Sequence, residues 1–266
     1  MPEAVASFSE HTVMSGNVEL AVRDHGGSGD AVVLLHGGGR SMEDWRLVVP
    51  PLVEAGLRVV TADLRGHGGS GPGMWSWEAG LKDLAAVVGD RGLDRPAVVG
   101  HSLGGLVAAL WATRHPECPL AVNLDGHTNP IGPFAGLDAE AARAAEATMR
   151  DFLESSVRQA GDPTLARLVA ELGNLDLFAT YRAARCPLVV VASAGRGMAE
   201  LLPSNVAAVF PAYQRGFAKE LSAAEAVTPL LSVVDVDTGH DVHLEDADQV
   251  VRLVLDRLVP ETRRTS

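Results

Sequence analysis

A serine occupies a sharp turn predicted near the middle of the chain. The motif Gly100-His101-Ser102-Leu103-Gly104 follows the apolar run at residues 96–99 and precedes apolar residues at helical spacing, which predicts a strand leading directly into a helix. Such a turn leaves no room for a Cβ at Gly100 or Gly104 and exposes the serine hydroxyl on a strained backbone. The helix N-terminus directs backbone N–H groups to where charge would develop on an attacked carbonyl. The motif favours a nucleophilic serine, although among 28 glycines it also occurs as an ordinary tight turn.

The elements that must position this serine follow from hydrophobic periodicity. Short continuous apolar runs predict strands buried on both faces, and amphipathic stretches predict helices between them. The predicted strands are residues 7–14, 18–22, 31–35, 57–62, 96–99, 120–124, 188–192 and 231–236. The predicted helices are residues 42–55, 75–90, 103–114, 139–160, 165–172, 175–184, 206–223 and 247–258. This alternation indicates an α/β fold with a parallel sheet, and the wholly helical block after residue 126 indicates an insertion over the carboxyl ends of the strands.

Composition and charge argue against several classes of protein. The chain of 266 residues has a formal net charge of −12, which disfavours a nucleic-acid or anionic-membrane partner. Its two cysteines, Cys118 and Cys186, provide neither a disulfide framework nor the spacing of a metal site. The N-terminus lacks a secretory pattern, and no run approaches the roughly 20 apolar residues of a membrane span. We therefore expect a soluble, cytoplasmic protein without a metal or other cofactor, and its oligomeric state is open.

Four motifs frame nearly the whole chain. They are Leu34-Leu35-His36-Gly37-Gly38-Gly39, Asp63-Leu64-Arg65-Gly66-His67-Gly68-Gly69-Ser70, Gly100-His101-Ser102-Leu103-Gly104-Gly105 and Gly239-His240-Asp241-Val242-His243-Leu244-Glu245. With these motifs in this order, the chain resembles the α/β-hydrolase superfamily, specifically its compact esterase-like members with a helical cap. The resemblance implies an α/β-hydrolase fold, which is a mostly parallel, doubly wound sheet with a helical cap inserted after the strand that follows the nucleophile helix. Residues 1–126 and 186–266 would form the core, and residues 127–185 the cap.

The same resemblance implies a catalytic triad. It makes Ser102 the nucleophile and His240, after the last predicted strand, the general base. The usual position of the acid, after the next-to-last strand, has no carboxylate between residues 192 and 198. A second arrangement known in the superfamily places the acid at the end of the strand that follows the nucleophile helix, where this chain has Asp125. We therefore predict Ser102, His240 and Asp125 as the triad. Glu200 is the alternative acid, and Asp125 would then only anchor the start of the cap.

Two backbone N–H groups are expected to form an oxyanion hole. One belongs to Leu103, the residue after the serine, and the other to Gly38 in the glycine-rich turn after the third strand. Glycine suits that turn because the backbone must approach the substrate closely, although a purely structural bend is the alternative. His36 and His67, which lie in glycine-rich loops, are interpreted as residues that shape these loops by hydrogen bonds.

The leading hypothesis for function is a serine hydrolase that cleaves a carboxylic ester, thioester or lactone through an acyl-enzyme. Cofactor-free haloperoxidase- or perhydrolase-like chemistry and hydrolysis of a carbon–carbon bond are alternatives within the superfamily. Dehalogenases and epoxide hydrolases are disfavoured, because those relatives carry Asp at the position of Ser102. A non-catalytic protein that binds a small ligand on the same fold is the alternative of another class. The expected partner is a small ester-like molecule, whose identity and chain length the sequence leaves open.

Overall fold

A computed structural model of the protein describes residues 8–127, 132–161, 163–195 and 198–259. Within these residues, eight strands form one sheet in the order β1-β2-β4-β3-β5-β6-β7-β8. The strands are β1 (Ser9–Ser15), β2 (Val18–Asp24), β3 (Ala31–Leu35), β4 (Arg58–Ala62), β5 (Ala97–His101), β6 (Ala121–Leu124), β7 (Leu188–Ser193) and β8 (Leu231–Val236). The pairs β1–β2 and β2–β4 are antiparallel, and every later pair is parallel. Each predicted strand is thus present, and the mostly parallel α/β-hydrolase fold is confirmed.

The helices cover both faces of this sheet. They are α1 (Val49–Glu54), α2 (Trp77–Asp90), α3 (Leu103–Ala112), α4 (Ala139–Ala160), α5 (Pro163–Asn174), α6 (Leu177–Arg182), α7 (Met198–Leu201), α8 (Ser204–Val227), α9 (Val242–Glu245) and α10 (Ala247–Leu258). Helices α2, α3 and α8 share one hydrophobic core with one face of the sheet, whereas α1 and α10 pack on the other face. Both faces of the central strands are therefore buried, which is why these strands are continuous apolar runs. Among the described residues, no helix is both long and apolar enough to cross a membrane.

The single helix predicted at residues 42–55 is wrong. The structure has a 3-10 helix at Met42–Leu47, followed after Val48 by the separate helix α1. Pro50 and Pro51 explain the break, because proline has no N–H to continue a helical ladder and is tolerated only in a first turn. Both prolines accordingly lie in the first turn of α1.

Helices α4, α5 and α6 come between β6 and β7, where the sequence predicts a cap. Helix α5 is tied to the sheet domain because Nε1 of Trp77 donates a 3.0 Å hydrogen bond to the carbonyl of Glu171. Helix α6 is tied to β6, since Nδ2 of Asn123 donates to the hydroxyl of the fully buried Tyr181 over 2.9 Å. Part of the predicted cap, residues 128–131 and 162, lies outside the described residues. The boundaries at 127 and 185 stay a prediction.

Candidate active site

Ser102 lies at the junction of β5 and α3, in the predicted turn. Its backbone has φ of 49° and ψ of −112°, a combination that is strained for any residue except glycine. A Cβ on Gly100 would lie 2.1 Å from the carbonyl of Gly104, and one on Gly104 would lie 2.4 Å from the carbonyl oxygen of Leu35. Only glycine therefore fits at these two positions. Their close contacts hold the start of α3 against β3 and β5, with the serine at the corner.

Asp125 follows β6, and its buried carboxylate accepts three hydrogen bonds. Nδ1 of His240 donates to Oδ2 over 2.7 Å. Nε2 of His127 (2.9 Å) and the backbone N–H of Ser193 (2.8 Å) both donate to Oδ1. Burial by itself raises the pKa of a carboxyl, but the interactions with His127, His240 and Ser193 together hold the pKa of Asp125 well below its usual range. Asp125 is therefore an ionised group that only accepts hydrogen bonds.

This carboxylate determines where the proton lies on His240. Nδ1 carries the proton that is donated to Asp125, which leaves Nε2 as the basic nitrogen of the neutral ring. The backbone carbonyl of His240 accepts a 2.9 Å hydrogen bond from Nε2 of His101, the neighbour of Ser102, and the two imidazoles lie 4.7 Å apart. His240 is thus held beside the serine turn. Within the described residues, however, the hydroxyl of Ser102 makes no hydrogen bond to His240.

The alternative acid lies elsewhere. Glu200 is exposed on α7, and no hydrogen bond joins it to His240 in the described part of the chain. Asp241, the residue after His240, forms a salt bridge with Arg40 from the end of the glycine-rich turn. The structure therefore brings His240 together with Asp125 rather than with Glu200 or Asp241. The catalytic roles of these residues stay predictions.

The glycine-rich turn after β3 lies against the serine corner, where the predicted oxyanion hole would be. A Cβ on Gly37 would lie 3.2 Å from Cβ of Ser102, and one on Gly38 would lie 3.8 Å from Cδ2 of Leu103 and from Cδ2 of Leu168 in α5. Among the described residues, the N–H groups of Gly38 and Leu103 donate to no protein acceptor. Both N–H groups are therefore available to a ligand, and Leu168 of α5 lies beside Gly38.

His36 and His67 form hydrogen bonds within the loops around this turn. Nδ1 of His36 donates to the carbonyl of Gly37 over 2.7 Å, and its Nε2 accepts a 2.9 Å hydrogen bond from the N–H of Leu64. His36 thus links the loop after β3 to the loop after β4. Nδ1 of His67 donates to the carbonyl of Arg65 over 2.9 Å. These contacts are of the kind expected of loop-shaping residues.

Sequence reasoning missed the contact of His127 with Asp125 and the burial of His243. The only available signal for His127 was its position two residues after Asp125, because nothing in the sequence says on which side its ring packs. His243 is fully buried in α9, 4.3 Å from the ring of His101. Burial lowers the pKa of His101 to about 2 and that of His243 to about 3, so both rings are neutral. Neither His101 nor His243 therefore places a positive charge next to His240.

A cavity of about 630 Å³ opens beside His240, between α8 and the carboxyl ends of β7 and β8. His240, Asp125 and His127 lie at its wall. Most of the remaining surface is apolar and aromatic, contributed by Leu202, Phe210, Tyr213, Phe217, Leu221 and Val233. The cavity has the size and character of a pocket for a small organic molecule.

Parts of the chain are similar to known hydrolases. Over 100 residues it is 37% identical to the bifunctional epoxide hydrolase 2 of Sus scrofa, a match that covers 36% of this chain and 18% of that protein. Over 97 residues it is 36% identical to the 2-hydroxy-6-oxo-6-phenylhexa-2,4-dienoate hydrolase of Comamonas testosteroni, covering 34% of each. The chain therefore spans at most about a third of the length of these two curated relatives.

A much larger part of the chain matches at the level of fold and family. The crystal structure of the enol-lactonase from Burkholderia xenovorans LB400 superposes with a TM-score of 0.64 at 20% identity, covering 95% of this chain and all of that one. The sequence profile of the Alpha/beta hydrolase family matches residues 32–253. Because this match includes the serine turn, Asp125 and His240 and spans most of the chain, the protein belongs to the Alpha/beta hydrolase family.

Proposed function

We propose that the protein is a serine hydrolase that cleaves a carboxylic ester, thioester or lactone through Ser102, His240 and Asp125. The observation that carries this proposal is the 2.7 Å hydrogen bond from His240 to the ionised Asp125. It leaves the basic Nε2 of His240 free on a ring that is held next to the strained turn of Ser102. A serine, a neutral imidazole and a buried carboxylate in this relation form the usual machinery for acyl transfer.

The first half of the reaction forms an acyl-enzyme. Nε2 of His240 takes the hydroxyl proton as Oγ of Ser102 bonds to the substrate carbonyl carbon. The oxygen that becomes negative accepts hydrogen bonds from the N–H groups of Leu103 and Gly38. His240 then passes its proton to the oxygen of the departing alcohol or to the sulfur of the departing thiol. The bond from that atom to the carbonyl carbon breaks.

The second half releases the acid. His240 takes a proton from water, whose oxygen bonds to the acyl carbon while the N–H groups of Leu103 and Gly38 again stabilise the negative oxygen. The proton returns to Oγ of Ser102 as the ester bond to the enzyme breaks. Asp125 stays ionised throughout and stabilises the imidazolium form of His240. These steps use only groups of this chain, the substrate and water.

The substrate that we propose is small and largely apolar, with part of it lying in the cavity beside His240. The cavity volume of about 630 Å³ exceeds that of a simple acetyl ester, and its aromatic wall suits an aliphatic or aromatic group. We further propose that α4, α5 and α6 act as a cap, because Leu168 of α5 lies against Gly38 at the proposed oxyanion hole.

A second candidate is the hydrolysis of a carbon–carbon bond next to a carbonyl. The similarity to the Comamonas testosteroni 2-hydroxy-6-oxo-6-phenylhexa-2,4-dienoate hydrolase favours it. The similarity to an epoxide hydrolase carries less weight, because Ser102 stands where the resemblance gives that branch an aspartate. Assaying the dienoate beside the esters distinguishes the two candidates.

The test is covalent labelling followed by a substrate panel. A fluorophosphonate probe should label the full chain at Ser102, as located by mass spectrometry. Ser102→Ala should abolish labelling, whereas Ser232→Ala, on the exposed face of β8, should leave it intact. The wild-type protein that has not been treated with the probe should hydrolyse one class among p-nitrophenyl esters of graded chain length, thioesters and lactones. A folded wild-type protein that is neither labelled nor active on the panel or the dienoate would overturn the proposal.

A further inference from the structure

The carboxylate of Asp125 is shared by two imidazoles. His240 occupies Oδ2 at 2.7 Å, and His127 occupies Oδ1 at 2.9 Å. The reaction proposed above uses only His240. His127 comes from the residues just after β6 and bonds to the oxygen of the carboxylate that His240 does not use.

His127 restricts how the carboxylate can turn. The torsion that rotates an aspartate carboxylate has a broad energy profile, so hydrogen bonds have to fix its plane. Oδ1 is held by two donors, Nε2 of His127 and the backbone N–H of Ser193, and Oδ2 is thereby directed to His240. The His127 ring is itself fixed, since it packs edge-on against Phe217 with 4.3 Å between the ring centroids.

His127 also affects how the negative charge is distributed over the Asp125 carboxylate. A donor on Oδ1 draws charge toward itself and leaves less on Oδ2, where the proton of His240 Nδ1 lies. The carboxylate therefore stabilises the protonated form of His240 less than it would without His127. The interaction with His127 is also the largest of those that lower the pKa of Asp125 against the opposing effect of burial.

We infer that His127 is a positioning residue that orients Asp125 and, through it, limits the basicity of His240. The catalytic meaning of this inference rests on the proposed function. The effect of His127 on His240 through Asp125 does not, because it depends only on these three side chains. His127 lines the cavity with a quarter of its side chain exposed, so it can respond to a molecule bound there.

Other titratable groups face His240 and Asp125. Around His240 they are His101 from β5, Asp241 and His243 from its own segment, and Arg40, which is paired with Asp241. Across the cavity they are Arg215 and Glu225 from α8 and Asp235 from β8. Tyr181 and Tyr213 face Asp125, and burial raises the pKa of both phenols far above neutral pH. A substitution at His127 leaves all these groups in place.

The experiment compares His127→Phe, which keeps an aromatic ring but removes the donor, with His127→Gln, whose side-chain amide can again donate a hydrogen bond. Imidazole NMR of the full chain, with the His240 signal assigned by His240→Gln, gives the pH at which His240 is half protonated. His127→Phe should raise that pH by about one unit, because the carboxylate then stabilises the imidazolium more strongly. His127→Gln should remain within a few tenths of a unit of the wild type.

The same variants should also differ in the pH profile of turnover. The reaction needs neutral His240, so the acidic limb of kcat/KM should move up by the same amount in His127→Phe and stay in place in His127→Gln. His127→Leu provides the same test with a smaller side chain in case the phenylalanine does not fit. His115→Phe is the matched control, because that histidine also hydrogen-bonds to a carboxylate two residues away, on Glu117, but lies beyond the C-terminal end of α3.

The outcomes separate this inference from the proposed function. An unchanged or lowered half-protonation pH in both His127→Phe and His127→Leu would overturn the role of His127, whether or not the probe labels Ser102. Loss of turnover in these variants without a shift of the acidic limb would do the same, because it would indicate a merely structural residue. A raised half-protonation pH in a protein that the probe does not label would support the coupling and count against the hydrolase.

Discussion

Nδ1 of His240 donates a 2.7 Å hydrogen bond to Oδ2 of Asp125, although 115 residues separate the two in the chain. The contact exists because β6, β7 and β8 are neighbouring parallel strands whose carboxyl ends lie at one edge of the sheet. Asp125 directly follows β6, and His240 lies in the segment after β8. A carboxylate at the first position can therefore reach an imidazole at the other without any acid after β7.

Replacing Asp125 by asparagine should nearly abolish turnover. In Asp125→Asn the introduced amide nitrogen would donate to Nδ1 of His240, which places the proton on Nε2 and removes the base. We expect kcat to fall roughly 10³- to 10⁴-fold, as for the same change in other serine triads. Initial rates on the best ester of the panel measure this, and circular dichroism verifies folding. Glu200→Gln is the control and should retain near wild-type turnover. The opposite pattern would make Glu200 the acid.

Adding a methyl group at Gly100 should destabilise the fold. Its Cβ would lie 2.1 Å from the carbonyl of Gly104, so α3 would have to move away from β5. We expect Gly100→Ala to lower the free energy of unfolding by about 3 kcal/mol, as measured by urea denaturation. Gly89→Ala in α2, where nothing lies within 4 Å of the new Cβ, should instead be neutral or raise it by about 0.5–1 kcal/mol. Equal effects of the two substitutions would contradict the close contact at the serine turn.

His243 should make stability depend on pH in the weakly acidic range. Burial lowers its pKa in the folded protein from 6.5 to about 3, so between these values the unfolded chain holds the extra proton. The stability from neutral His243 is complete above pH 6.5 and is lost as the pH falls toward 3. In this range the titration of His243 should therefore lower the free energy of unfolding by about 1.4 kcal/mol for each unit by which the pH decreases.

His243→Phe removes that titration while keeping a ring beside Trp45, which lies 4.8 Å away in the wild type. Urea unfolding measured from about pH 7 to about pH 4 should show a shallower loss of stability in the variant. Burial also lowers the pKa of His101, His36 and His25, so these groups titrate in both proteins and contribute to the slope that remains. A slope as steep in His243→Phe as in the wild type would contradict the burial of His243 as its cause.

Filling the cavity should change the preferred substrate length. Val233 lies on β8 at the cavity wall, so Val233→Phe takes up space beside His240. We expect kcat/KM for long-chain or aromatic esters to fall about tenfold relative to that for an acetyl ester. Val227→Phe is the matched control, because Val227 is 68% exposed at the end of α8. A uniform loss across all chain lengths, or none, would show that the cavity does not hold the substrate.

Much of the fold could be predicted from the sequence, because its information is local. Central strands that are covered on both faces need apolar residues at every position, and runs such as Ala31–Leu35 therefore stand out. The serine turn is equally local, since its steric demands fall on glycines two residues from Ser102. The error at residues 42–55 was also local, because Pro50 and Pro51 divide that stretch between a 3-10 helix and α1.

The sequence by itself determined which residues are available for chemistry, the order of the elements and, through the resemblance, the choice of Asp125 over Glu200 as the predicted acid. Only the tertiary structure decided that Asp125 holds a second imidazole, that His243 is buried and neutral, and that a cavity opens beside His240. The physical reason is that the residues that fix the His127 ring, enclose His243 and line the cavity come from elements far apart in the chain. Burial, hydrogen bonding and the protonation state that they impose arise only when the sheet brings the strand ends together.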